Sequence, residues 1–179
     1  MIQLNEGIAL ISGAMFNYGD PASSQVTIED IAFALGNVCR FSGHIPFYSV
    51  AQHCVNVSHL VPERHAFTAL MHDTAEAFTN DIPTPLKVAV PAFKDLEGRI
   101  EQTMAYRFGF QYPFPPEVKY ADLQMLRAEK QQLKGDFSHW QILDGIEMPP
   151  AHLINMDRMQ PEEAAEAYLN RFYALGGWA

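Results

Sequence analysis

The chain has 179 residues, 48% of them apolar and 18% charged, with a formal charge of −9. That length and composition fit one globular domain with a substantial core. They exclude a broad nucleic-acid surface, which needs clustered Lys and Arg, and no apolar run reaches the ~18 residues of a membrane span. The N-terminus, MIQLNEGIAL, carries no basic stretch ahead of its apolar residues, so no signal peptide is expected. Cys39 and Cys54 sit in apolar helical patterns and read as reduced packing thiols of a cytoplasmic protein.

In chain order, residues 8–20 (IALISGAMFNYGD) break short apolar runs at Gly13 and Gly19, which predicts a small hairpin or extended lid within 1–26. Thr27 is an expected N-cap, with Asp30 three residues on as a capping-box partner. Ile28, Ile31, Ala32, Leu35 and Val38 follow at helical spacing. After the break at Gly43 and Pro46, Ser49 caps a second helix whose inner face carries Val50, His53, Val57 and Leu60. Pro62 opens a third helix, expected to run on so that His72 and Glu76 lie one above the other, four residues apart. Pro83 and Pro85 stop it, leaving Asp81 in a loop. Leu96, Ile100, Thr103 and Arg107 mark a fourth helix, ended by Gly109. Pro116 starts a fifth, with Val118, Asp122, Met125 and Glu129 on one face. Residues 135–160 carry few periodic signals, and PEEAAEAYLNRFYAL reads as a last amphipathic helix with acidic residues in its first turn.

Four residues stand out on these faces: His53, the adjacent His72 and Asp73, and the distant Asp122. A lone inward histidine is usually a satisfied core residue, but burying carboxylates unpaired costs several kcal/mol. One divalent cation offsets that cost for all four at once. Two imidazoles and two carboxylates suit Mn²⁺, Fe²⁺, Co²⁺, Ni²⁺ or Zn²⁺ better than Ca²⁺. Structural ion pairing is the alternative. His44, in a glycine turn, is a candidate donor to phosphate, and Lys87, after the two prolines, is placed to reach a polyphosphate tail.

The ordered set His…His-Asp…Asp, with its flanks CRFSGHIPFYSVAQHC, ALMHDTAEAFTNDIPTPLK and VKYADLQML, resembles the HD superfamily of metal-dependent phosphohydrolases. Within it the chain looks like the short bacterial and phage members, a group similar to 5′-deoxynucleotidases that includes dATP triphosphohydrolases. The resemblance runs over residues 28–133, with a weaker echo in ISGAMFNYGDP. It implies an all-α HD-domain bundle with a short N-terminal β-hairpin, a single domain over 1–179: hairpin or lid at 1–26, metal-binding helical core at 27–133, C-terminal extension and helix at 134–179. It implies a small nucleotide as substrate, and a homo-oligomer is expected. It sets Glu76 and Asp81 beside the metal as catalytic residues: Glu76 to position or deprotonate water, Asp81 to protonate the leaving oxygen, contact the sugar or help bind a second metal or Mg²⁺. It gives Arg40 to the phosphate and Phe41 to the sugar, where crowding at C2′ excludes a ribonucleotide. The sharpest expectation is a dATP triphosphohydrolase. The alternatives are a 5′-deoxynucleotidase acting on monophosphates and a nucleotide-binding regulator without turnover.

Overall fold

The computed structural model describes residues 7–178; Met1–Glu6, the start of the expected lid, lie outside the described residues. Two short strands, β1 (Gly7–Ala9) and β2 (Met15–Asn17), form the antiparallel hairpin, pairing Gly7 with Asn17 and Ala9 with Met15. Gly13 takes the left-handed conformation (φ 89°) that the turn demands. The other regular elements are helical, as expected: α1 (Ile28–Asn37), α2 (Val50–His59), α3 (Glu63–Met71), α4 (Glu76–Thr79), α5 (Thr84–Ala89), α6 (Pro91–Phe108), α7 (Pro116–Gln132) and α8 (Pro161–Ala174). Among the described residues no helix is long and apolar enough to cross a membrane.

Local chemistry sets the ends. Thr27 and Asp30 form the capping box of α1, and the same Asp30 carboxylate accepts from the Ser12 backbone N–H (2.9 Å) and hydroxyl (3.0 Å), fastening the hairpin. Ser49 caps α2 by accepting from Gln52 N–H. Gly109 ends α6 at φ 74°.

The core lies where α1, α2, α3, α6 and α8 meet, filled by Ile28, Ile31, Leu35, Val50, Cys54, Leu70, Met71, Ile100, Met104, Tyr168 and Phe172, all essentially inaccessible to solvent. The α1–α8 contact is close: a Cβ at Gly36 would stand 2.6 Å from the Pro161 carbonyl oxygen. Residues 135–160 are mostly irregular, as their weak periodicity implied. They are tied down where Gln52 Nε2 donates to the Asn155 and Asp157 carbonyls (3.0 and 2.7 Å) and Asn56 exchanges two hydrogen bonds with the Asn155 backbone.

Two elements differ from expectation. The third helix does not continue through the His-Asp pair: α3 ends at Met71, and residues 72–75 wind into tighter turns, with Thr74 N–H bonded to Met71 O and Glu76 N–H to Asp73 O. Neither Pro nor Gly breaks it. Side chains take carbonyls instead, His72 Nδ1 from Ala69 (2.8 Å) and Thr74 Oγ1 from Met71 (2.5 Å). After Asp81, where no helix was expected, Pro85 sits in the first turn of the short α5 and starts it rather than forbidding it.

Candidate active site

His53 and Asp122 come from the facing sides of α2 and α7, and His72 and Asp73 from the tight turn after α3. His53 Nε2 lies 3.2 Å from Asp122 Oδ1 and 3.6 Å from Asp73 Oδ2; His72 Nε2 lies 3.3 Å from Asp73 Oδ2 and 3.9 Å from Asp122 Oδ1. Both Nε2 atoms are buried and, among the described residues, make no aligned hydrogen bond. Two orphaned imidazole nitrogens facing two carboxylates are what a cation site requires, so the donor set fits the implied metal. Each ring is turned by its other nitrogen: His72 Nδ1–H donates to Ala69 O, and His53 Nδ1–H to Glu129 Oε1 at 2.6 Å. Among the described residues, the groups near enough to share one ion are His53–His72–Asp122 and Cys54–His72–Asp73. Burial pushes the Cys54 thiol up to about 11, so it stays protonated beside His72 and is a poor ligand. Glu76 and Asp81 belong to neither group, leaving the second cation without a preformed set.

The charges are strongly linked. Burial disfavours the His72 imidazolium, but Asp73 and Asp122 outweigh it and raise its pKa well above the ordinary value; Asp122 is held correspondingly low by His53 and His72 against its own desolvation. A cation at these donors would compete with the protons that the carboxylates favour on the imidazoles. Glu76 is pushed well up, first by burial and then by Asp73 and Asp81. Its Oε2 is buried and, among the described residues, unpartnered.

Arg40 is buried and spans the site from behind. Its Nε and Nη2 donate to Glu129 Oε2 (3.2 and 3.1 Å), while Nη1 stands 3.9 Å from Asp73 and 3.8 Å from Asp81. Burial opposes the charge, yet Glu129, Asp81, Asp73 and Glu76 hold it firmly protonated. Sequence reasoning assigned Glu129 no role, although it is fully buried and orients both a candidate metal ligand and the candidate phosphate ligand. The signal was available: Glu129 is a carboxylate two turns beyond Asp122 on the same apolar face.

Phe41 and Ser42 both adopt left-handed backbone (φ 54° and 52°), followed by Gly43 at φ 78°. For a non-glycine residue this is strained backbone, kept where its surroundings over-determine it. Here Asp81 Oδ2 accepts from the Phe41 N–H at 3.0 Å. Phe41 lines a cavity of about 840 Å³, together with the polar side chains of Arg40, Asp73, Glu76, Asp81, Lys87 and Asp122. Lys87 Nζ is engaged by Glu97 at 2.6 Å and lies 3.9 Å from Glu76. His44 ends the turn exposed to solvent and does not line the cavity.

Comparison with known proteins accords with this arrangement. Residues 40–138 match the family model described as 5′-deoxynucleotidase YfbR-like. The chain belongs to that family. The matched stretch contains every residue of the polar constellation, from Arg40 to Glu129. Along almost its whole length the chain is similar to the uncharacterized protein YfdR of Escherichia coli (strain K12), 42% identical over 94% of both chains. An uncharacterized protein of Rhodobacter capsulatus is 32% identical over 70% of this chain and 72% of its own. A shorter stretch, 24% of each chain, is 47% identical to the 5′-deoxynucleotidase PM0747 of Pasteurella multocida. Membership in the YfbR-like family makes this an HD-domain chain of the nucleotidase type.

Proposed function

We propose that the protein hydrolyses the phosphate ester of deoxynucleoside 5′-monophosphates. The observation that carries the proposal is the pair of buried, unpartnered imidazole nitrogens, His53 Nε2 and His72 Nε2, set against Asp73 and Asp122 beside a cavity of nucleotide size. His53, His72 and Asp122 would hold one divalent cation, with Asp73, 3.3 Å from His72 Nε2, added as a fourth ligand; when bound the cation supplies Lewis acidity toward water and toward a phosphoryl oxygen. The chain's own groups do the rest. Arg40 Nη1, the part of the guanidinium not bound to Glu129, takes a phosphate oxygen. Glu76, with Oε2 unpartnered, receives the proton of the attacking water. Asp81 holds the Phe41 turn through Oδ2 and keeps Oδ1 for the sugar or the leaving oxygen. Phe41 crowds C2′.

The monophosphate reading is favoured over the dATP triphosphohydrolase expected from the sequence. The YfbR-like family and the Pasteurella relative carry the name 5′-deoxynucleotidase. Among the described residues the cavity is lined by four carboxylates, Asp73, Glu76, Asp81 and Asp122, and by two cations, Arg40 and Lys87. Both cations are already engaged, by Glu129 and Glu97, so Lys87 has little to offer a polyphosphate tail. One free guanidinium nitrogen serves one phosphate. The test is chromatography of the products from dNMPs, NMPs and dNTPs with Mn²⁺ or Co²⁺. Nucleoside and inorganic phosphate from the dNMPs are expected. Inorganic triphosphate from dNTPs would overturn the reading, and metal-loaded protein that binds nucleotides without turnover would mark a regulator.

A further inference from the structure

The cavity lining includes apolar residues that the proposed chemistry does not use. They are Leu123 and Leu126 from α7, Val88 from α5, and Trp140 and Ile142 from the irregular segment after α7. Trp140 and Ile142 lie outside the stretch that matches the YfbR-like model, which ends at residue 138. The segment carrying them is nevertheless firmly built. Lys130, only 2% exposed, sends its ammonium into the loop, donating to the carbonyls of Asp136 (2.8 Å) and Ser138 (2.5 Å) and pairing with the Asp136 carboxylate at 3.4 Å. The same Nζ lies 5.1 Å from the Trp140 ring centroid. Residues 141–143 then close a 3₁₀ turn that adds Ile142 to the wall. A buried lysine spent on shaping a surface loop, with an indole at the end of that loop in the cavity wall, is a device for holding an aromatic face in place.

We infer that Trp140 is the platform on which the substrate's base stacks, with Leu126 and Ile142 completing an apolar slot, and that the aromatic face of this slot comes from outside the matched family segment. The inference rests on the nucleotide reading above and deepens it. Stacking and apolar walls favour any base over none and supply no hydrogen-bond code, so weak discrimination among the four bases is expected.

The chain has two tryptophans, and the other, Trp178, is 85% exposed near the C-terminus, so Trp178→Phe leaves Trp140 as the sole reporter. With Co²⁺ present throughout, each dNMP should quench its fluorescence saturably, whereas deoxyribose 5-phosphate, which has no base, should leave it unchanged. Trp140→Ala should lower kcat/KM for dNMPs relative to deoxyribose 5-phosphate by about five- to hundredfold, the range of one lost base stack. Trp140→Phe should retain most of that ratio, separating lost stacking from lost folding. An equal fall for both substrates would overturn the inference, as would dNMP hydrolysis without any change in the Trp140 signal. Saturable quenching without phosphate release would instead sink the hydrolase reading and leave the base platform standing.

Discussion

Replacing Glu129 by Gln tests whether the site is held from behind. The carboxylate is fully buried and serves three donors: His53 Nδ1 at 2.6 Å and Arg40 Nε and Nη2 at 3.2 and 3.1 Å. The amide keeps the shape and one acceptor oxygen but removes the charge, leaving Arg40 buried with Asp81 and Asp73, at 3.8 and 3.9 Å, as its nearest remaining counter-ions. Removing one partner of a buried ion pair costs about 3–5 kcal/mol. At roughly 2–4 °C per kcal/mol for a chain of this size, Tm should fall by about 6–20 °C. The metal should suffer separately, because an imidazole that loses its carboxylate partner binds a cation about 10- to 100-fold less tightly. Urea unfolding in chelator reads the first effect, and a metal titration of folded protein reads the second. The double variant Arg40→Met, Glu129→Met separates them further: with the buried guanidinium removed together with its partner, part of the stability should return, less what Asp73 and Asp81 lose with Arg40, while the metal affinity stays low. A Glu129→Gln protein that loses under about 1 kcal/mol in chelator and binds metal within threefold of wild type would refute the reasoning.

Glu76→Gln should retain full metal occupancy by elemental analysis and lose about 10²–10⁴ in kcat, the range for removing a positioned acid or base; unchanged turnover would take Glu76 out of the reaction. Phe41→Ala should narrow the ratio of kcat/KM between dAMP and AMP, and a ratio equal to wild type would return Phe41 to a packing role. Glu101, pushed up to about 7 by burial and then by Glu97 one helical turn away, supplies a pH test. Its folded pKa lies above its unfolded one, so the folded state holds the proton more tightly, and its contribution is lost as pH rises through about 7. Glu101→Gln should therefore raise Tm at pH 8 and leave it nearly unchanged at pH 5; equal shifts at both would show that its charge is not the cause.

Part of the candidate site was legible because a period of 3.6 exposes a polar residue that falls on an inward helix face. His53 among Val50 and Val57, and Asp122 between Val118 and Met125, are visible in that way, and all of those apolar neighbours are fully buried. The hairpin, the α1 capping box and the glycine stop of α6 follow from local turn chemistry and were legible for the same reason. What escaped depends on pairings distant in sequence. Glu129 acquires its role only because Arg40, 89 residues away, folds back onto it. The break after Met71 arises from two side chains competing for carbonyls, which no periodicity records. The left-handed backbone at Phe41 is imposed by Asp81, 40 residues on, where sequence alone offered Gly43 as the natural turn residue. Trp140 stands in a stretch without periodic signal.

The N-terminal hairpin has a consequence beyond capping the fold. None of its described residues lines the cavity. Instead Phe16 stacks on Phe78 at 3.9 Å between ring centroids, and the Tyr18 hydroxyl donates to the Phe78 carbonyl. Phe78 belongs to α4, a helix of four residues that begins with Glu76 and is too short to persist by itself. The hairpin, tied to α1 through Asp30, is therefore the back wall against which Glu76 is held. Glu76 thus stands as steady as a strand pair about sixty residues upstream, and a change at Phe16 would reach the candidate site through Phe78 as well as loosen the core.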